Sequence, residues 1–214
     1  MNVLLVGANG QIGRQLAELL ASSEKHDVTA MIRKPEQAEE LESFGAKTVL
    51  ADLEGSVSDL AQAAKGCDAI VFSAGSGGST GHDKTLLIDL DGAAKMVEAA
   101  QQAGIKRFVM VSALQAHKRE NWNAELRPYY VAKHYADKIL EQSGLTYTII
   151  RPGGLLNEPG TGKVKAGSDL ERGTIPREDV AQTIFAVLDQ ENTFNRGFDL
   201  LSGETSIDEA LKNL

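Results

Sequence analysis

The sequence predicts an α/β fold: a doubly wound parallel sheet with helices on both faces and a small C-terminal cover. Three observations predict it. Apolar runs of strand length alternate with helix-length amphipathic patterns from residue 2 almost to the end. The connections between them are short, as parallel β–α–β units require. The first apolar run passes straight into glycines at positions 7, 10 and 13 and then into a helical pattern. A buried parallel strand needs the apolar run, and a sharp turn into a helix needs the glycines.

Bulk properties narrow the function. The 214 residues fit one domain over 1–214, with 152–214 contributing the cover. A net charge of −8 argues against a nucleic-acid partner held by general electrostatics. There is no apolar run of membrane-spanning length and no basic leader, so a cytoplasmic protein with no membrane partner is expected, as monomer or homodimer. The single cysteine, Cys67, excludes an intrachain disulfide and reads as a buried structural thiol. His82, His117 and His134 lack metal-ligand spacing, so no metal is expected, and His134 is expected to be exposed.

In chain order, Asn2 to Val6 reads as the first strand and Gln11 to Ser23 as a helix, with Ile12, Leu16, Leu19 and Leu20 on one face. Asp27 to Arg33 is a second strand. Pro35 to Phe44 is a charged helix opened by proline and closed by Gly45. Lys47 to Ala51 is a third strand, Val57 to Ala64 a short helix and Cys67 to Phe72 a fourth strand. A glycine- and serine-rich loop covers Ser73 to Gly81, and a long helix spans Thr85 to Ala103, ended by Gly104. Arg107 to Ser112 is a fifth strand, Ala113 to Leu126 is irregular, Pro128 to Ser143 is a helix and Tyr147 to Arg151 a sixth strand. Pro152 to Gly173 reads as loop-rich. Arg177 to Leu188 is a helix, Phe198 to Leu201 a short strand and Ile207 to Leu211 a final helix.

In such sheets ligands bind beyond the carboxyl ends of the strands. Gly7, Asn9, Gly10, Gln11, Ile12 and Gly13 form a variant of the dinucleotide fingerprint, in which backbone N–H groups at a helix N-terminus cradle a pyrophosphate. Arg33, twenty residues beyond Gly13, and Lys34 stand where an adenosine ribose is read. Cations there accommodate a 2′-phosphate, so NADP(H) is expected in preference to NAD(H). Asp52, followed by Leu53, either accepts from an adenine amino group or caps the next helix. Ser73, Ala74 and Gly75 are small enough for a ribose to lie against their backbone. Tyr129 and Lys133, four apart on a helix, share a face. An ammonium there lowers the tyrosine pKa towards neutrality, which suits proton transfer.

Other groups carry less. Lys84 faces either phosphates or solvent, and Trp122 either lines a pocket or pins its loop. Arg177 reads as structural or pocket-rim. Gly160-Thr161-Gly162-Lys163 lacks the preceding strand and spacing of a phosphate loop.

Gly7-x-x-Gly10-x-x-Gly13, Asp52-Leu53, Ser112, Tyr129-x-x-x-Lys133 and Arg151-Pro152-Gly153 together resemble the short-chain dehydrogenase/reductase superfamily. The glycine spacing and the Arg-Pro-Gly look like its extended and atypical branches, which include the NAD-dependent epimerase/dehydratase and NmrA-like families. The resemblance covers nearly the whole chain. It implies a Rossmann-type fold, a nicotinamide cofactor and a small-molecule substrate. It implies Tyr129 as acid/base, Lys133 at the nicotinamide ribose, Ser112 as the substrate-orienting hydroxyl and Pro152 as a cofactor contact. The positions after Ser112 are Ala113 and Leu114, where extended members usually carry the catalytic Ser or Thr, and Asp89 stands where many members carry Asn. Asp89 is expected to be tied to a neighbouring backbone or cation. The expected function is an NADP-dependent oxidoreductase or epimerase/dehydratase-like enzyme acting on a small substrate, with an NADP-binding sensor without turnover as the rival reading.

Overall fold

The computed structural model describes residues 1–78 and 80–214. The expected loop over Ser73 to Gly81 is borne out at the described positions; its Ser79 lies outside the described residues. Strands β1 (Asn2–Val6), β2 (Asp27–Ile32), β3 (Lys47–Leu50), β4 (Ala69–Phe72), β5 (Arg107–Val111), β6 (Thr146–Pro152) and β10 (Arg196–Ser202) pair in parallel, in the order β3-β2-β1-β4-β5-β6-β10. The order reverses between β1 and β4, which is where a doubly wound sheet opens a crevice. Alternation along β1 shows how the sheet is buried on both sides. Val3 and Leu5 enter one core with α1 (Gln11–Ala21), α2 (Ala38–Ser43), α7 (Arg177–Val187) and α8 (Ile207–Lys212). Leu4 and Val6 enter the other, with α3 (Val57–Ala63), α5 (Ala93–Ala103) and α6 (Arg127–Glu141).

Two expectations are corrected. The segment read as loop-rich, Pro152 to Gly173, contains β7 (Gly154–Leu156) and β8 (Lys163–Gly167). β7 pairs with β9 (Thr174–Pro176) in a small ribbon, while β8 and β11 (Thr205–Ser206) extend the main sheet antiparallel beyond β10. Their glycines and short length hid them. The long helix expected from Thr85 is not uniform. A turn, α4 (His82–Lys84), leads into a π-helical segment, Thr85–Gly92, before α5 begins. The wider i→i+5 turn rotates Asp89 relative to a regular helix.

Two of the three fingerprint glycines are needed by the fold itself. Gly7 sits at φ +86°, and a Cβ there would lie 2.6 Å from the Ala74 amide nitrogen. A Cβ on Gly13 would collide with the Gly7 carbonyl oxygen, so the helix packs on the turn only without a side chain. Gly10 is different: its Cβ would meet only that same oxygen, at 3.2 Å. Gly13→Ala is therefore expected to lower stability by about 1–3 kcal/mol, and Gly10→Ala by less. Urea melts of the two variants check the ranking; equal midpoints would contradict it.

Candidate active site

The turn from β1 into α1 leaves a set of amides for a ligand. Gly10 N–H closes the turn on the Gly7 carbonyl at 3.0 Å, and Arg14 N–H begins the helical ladder on Gly10. Between them, the N–H groups of Gln11, Ile12 and Gly13 are the first-turn donors that an α-helix cannot satisfy itself. No side chain caps α1, and no acid stands in its first turn. Gly10 has no side chain to block approach; a separate cavity of about 330 Å³ runs along the flank of α1, between Gln11, Arg14 and Gln15 on one side and Leu156, Glu158 and Arg177 on the other. Uncapped amides, a positive dipole end and a glycine that the fold hardly requires fit an anionic diphosphate.

The neighbouring strand ends extend this cradle. Arg33 and Lys34 are exposed and make no ion pair among the described residues; their backbone N–H groups donate to Gln37 Oε1 at 2.9 and 3.1 Å. Asp52 does not cap α3, because Ser56 does, accepting from the Asp59 amide. Asp52 instead turns one oxygen to the Glu54 amide at 2.9 Å and stays exposed, while Leu53 is buried in the core. The Ser73 amide and hydroxyl both donate to the Val6 carbonyl, which sets the Ala74 backbone against Gly7. Lys84 pairs with Glu54, and Arg177 donates to Asn157 Oδ1 at 2.7 Å on the cavity rim. The Gly160-Thr161-Gly162 amides are filled by the chain itself: Glu178 and Asp179 accept them.

The second cluster forms where α6 packs against the π-helical segment, beside the end of β5. Tyr129, Lys133 and Asp137 lie one turn apart on α6. Lys133 is buried, with Nζ 3.1 Å from Asp89 Oδ1 and a hydrogen bond to the Val111 carbonyl at 3.3 Å. Asp89 Oδ2 accepts the Ser76 amide at 2.9 Å, so the loop after β4 hangs from the same carboxylate. Asp89 is tied to a cation and a backbone, as expected. Burial alone would lower the Lys133 pKa, but the surrounding negative charge, Asp89 nearest, outweighs it and holds the ammonium above its ordinary value. Its charge is secure at neutral pH.

Tyr129 is half-buried, with Lys133 Nζ 5.8 Å from its ring centre. Its pKa departs from the expected direction. Burial pushes the phenol above its ordinary value; Lys133 pulls it down, and Asp89 pushes it back up. The lysine's field is partly cancelled by its own counter-ion, which sequence spacing could not reveal. Ser112 is also placed unexpectedly. Its amide donates to the Ile150 carbonyl, and its buried hydroxyl lies beside Asp137 without a well-formed hydrogen bond. Burial raises the Asp137 carboxyl, and Arg151, whose Nε donates to it at 2.8 Å, pulls it down. Gly197 lets this happen, because a Cβ there would lie 2.6 Å from Arg151 Nη1. Asp137 was missed from the sequence; its i+4 spacing from Lys133 was the available signal. Pro152 ends β6 buried, its carbonyl accepting the Leu114 amide at 2.9 Å.

Trp122 pins the 113–126 loop. Its indole donates to the Ala116 carbonyl and stacks on Tyr130 at 6.0 Å, beside Tyr129. His134, expected to be exposed, is buried and shares that carbonyl at 2.9 Å. Cys67 is only half-buried and precedes β4. No helix is long and apolar enough to cross a membrane, and no cluster of three or more metal-ligating side chains occurs, among the described residues.

Comparison with known proteins agrees with this geometry. The family described as NAD(P)H-binding matches residues 7–191. A Bacillus subtilis protein named sugar epimerase YhfK is 69% identical over 100% of both chains. The structure of a Bacillus halodurans protein titled as an NAD-dependent epimerase/dehydratase is 43% identical, with a TM-score of 0.94 and 100% of each chain covered. An anaerobilin reductase from Escherichia coli O157:H7 is 26% identical, with a TM-score of 0.81, covering 96% of this chain and 99% of its own.

Asp89→Ala strands the Lys133 ammonium in the interior and is expected to cost about 3–5 kcal/mol in a urea melt. Asp89→Leu combined with Lys133→Met removes both charges and should cost less than Asp89→Ala alone. Because Lys133 is raised above 10.5, the stabilisation from its charge is complete below that pH and is lost as pH rises through the raised value. A melt series whose loss instead begins near neutral pH would contradict the assignment.

Proposed function

The chain belongs to the NAD(P)H-binding family, and we propose that within it the protein is an NADPH-dependent reductase of a small, flat carbonyl-type or conjugated substrate, with Tyr129 as proton donor. The observation that carries the reading is the meeting of Tyr129, Lys133 and Asp89 beyond the ends of β4 and β5, one crevice away from the free amides of α1. The amides of Gln11, Ile12 and Gly13 hold the diphosphate. Arg33 and Lys34 receive the adenosine 2′-phosphate, and this is the basis for NADPH over NADH. Asp52 would take the adenine amino group, and the backbones of Leu53, Ser73, Ala74, Gly75 and Pro152 would border the rest of the cofactor. When bound, the nicotinamide supplies the hydride.

The chain's own residues do the rest. Lys133 offers its remaining N–H to a ribose hydroxyl and keeps positive charge beside Tyr129. The raised phenol stays protonated, so Tyr129 acts as acid, delivering its Oη proton to the oxygen that gains negative charge as the substrate is reduced. Ser112, turned towards Asp137, steadies the strand end in this scheme and does not orient substrate. Residues 152–214 close the substrate side. Leu126 and Leu155, exposed on the segments flanking α6 and β6, and the Trp122–Tyr130 stack give that side an apolar and aromatic character. That supports a flat substrate over a nucleotide sugar, as does the reductase among the structural relatives.

A second reading, an NADPH-responsive sensor without turnover, draws support from the raised Tyr129 and from the absence of hydroxyls at Ala113 and Leu114. Turnover separates the two. Screening quinones, flavins and conjugated carbonyls for NADPH oxidation is expected to find a substrate whose rate falls about 10²–10⁴-fold in Tyr129→Phe. An unchanged rate would remove the acid role. With Tyr129 above its ordinary value, the rate of reduction should be flat from about pH 6 to 9, with its basic limb beyond. A limb near neutrality would mean another group donates. Arg33→Ala should weaken NADPH by about 1.5–3 kcal/mol and spare NADH, as read by fluorescence titration.

A further inference from the structure

Arg14 stands one residue beyond the last fingerprint glycine, and its guanidinium is held from two sides. Nη2 donates to Asn9 Oδ1 at 2.9 Å, and Nη1 lies 3.2 Å from Glu40 Oε2. Asn9 belongs to the turn between β1 and α1. Glu40 belongs to α2, the helix that follows Arg33 and Lys34. The guanidinium therefore joins the β1–α1 turn to the helix that follows β2, the two elements that flank an adenosine ribose in a sheet of this winding. It is neither deeply buried nor fully satisfied: the Arg14 and Glu40 side chains are 43% and 47% exposed, and Nε has no partner. An exposed carboxylate pair of this kind is weak and exchangeable. A phosphate dianion matches the guanidinium fork better than one carboxylate and carries more charge.

From this arrangement we infer that Arg14 is a second reader of the adenosine 2′-phosphate, and that Glu40 occupies it until the phosphate displaces it. Glu40 then sets selectivity in both directions. Its negative charge opposes the 2′-phosphate, and Arg14 must leave it to bind one. A cofactor without that phosphate leaves the Arg14–Glu40 pair intact and gains nothing from Arg14. The inference rests on the NADPH reading and deepens it, because three cations, Arg14, Arg33 and Lys34, then surround one anion.

Calorimetric titration of 2′,5′-ADP, 5′-ADP, NADPH and NADH into wild type, Arg14→Gln, Arg14→Lys and Glu40→Gln tests it. Arg14→Gln should weaken 2′,5′-ADP and NADPH about tenfold or more and leave 5′-ADP and NADH within about twofold. Arg14→Lys should fall between it and wild type. Glu40→Gln should tighten 2′,5′-ADP several-fold without changing 5′-ADP. Equal weakening of both cofactors by Arg14→Gln would show that Arg14 serves the diphosphate or the turn, and would overturn the inference. So would unchanged binding of both. If wild type binds NADH as tightly as NADPH, the NADPH reading itself fails; if wild type prefers NADPH and Arg14→Gln keeps that preference, only this inference fails.

Discussion

The ion pair between Lys133 and Asp89 is the contact on which the rest of the site depends. A buried ammonium needs a counter-charge, and here it comes from a π-helical segment that a regular helix would have turned differently. The same carboxylate holds the Ser76 amide, and the same ammonium holds the Val111 carbonyl. One strand end, one loop and two helical segments are thus locked at one point. Tyr129 stands beside that point and inherits its electrostatics. Its phenol feels an ammonium whose field is already partly spent on a carboxylate, so burial dominates and the proton is retained. An acid held this way suits reduction, where a proton has to be given, more than a reaction that begins by taking one.

Much of the scaffold is legible in the sequence. The alternating patterns located the seven parallel strands, and the glycine triplet located the turn at the sheet's switch point. The parts that stayed hidden share a physical cause: each depends on contacts between segments distant in the chain. β8 and β11 are short strands that exist because partners from distant segments reach them: β10 pairs with β8, and β8 in turn with β11. The π-helix keeps the apolar spacing of an ordinary helix. Spacing placed Lys133 beside Tyr129, yet could not place Asp89 against the lysine. Ser112 sits at the expected strand end, but the turn of the sheet aims its hydroxyl at Asp137, a residue one helical turn past Lys133. Arg14 meets Glu40 only because α2 packs beside α1.

In the proposed function the site would divide its labour along the cofactor. Backbone amides and missing side chains, which follow from local conformation, would serve the diphosphate. Exposed cations, tuned by the acids near them, would serve the adenosine end. A buried network, set by tertiary packing, would serve the nicotinamide end. The loop bearing Trp122 covers this last region, pinned through the Ala116 carbonyl, and it presents the chain's single tryptophan beside Tyr130 and Tyr129.

That single tryptophan gives the most direct test of the central claim, that a reduced nicotinamide lies beside Tyr129 when the cradle is filled. NADPH absorbs where tryptophan emits, so binding at this site should quench Trp122 and sensitise nicotinamide emission. The account predicts a saturable transfer signal at one cofactor per chain, abolished by Trp122→Phe while binding persists. NADPH that binds with no transfer from Trp122, or that fails to bind at all, would contradict it.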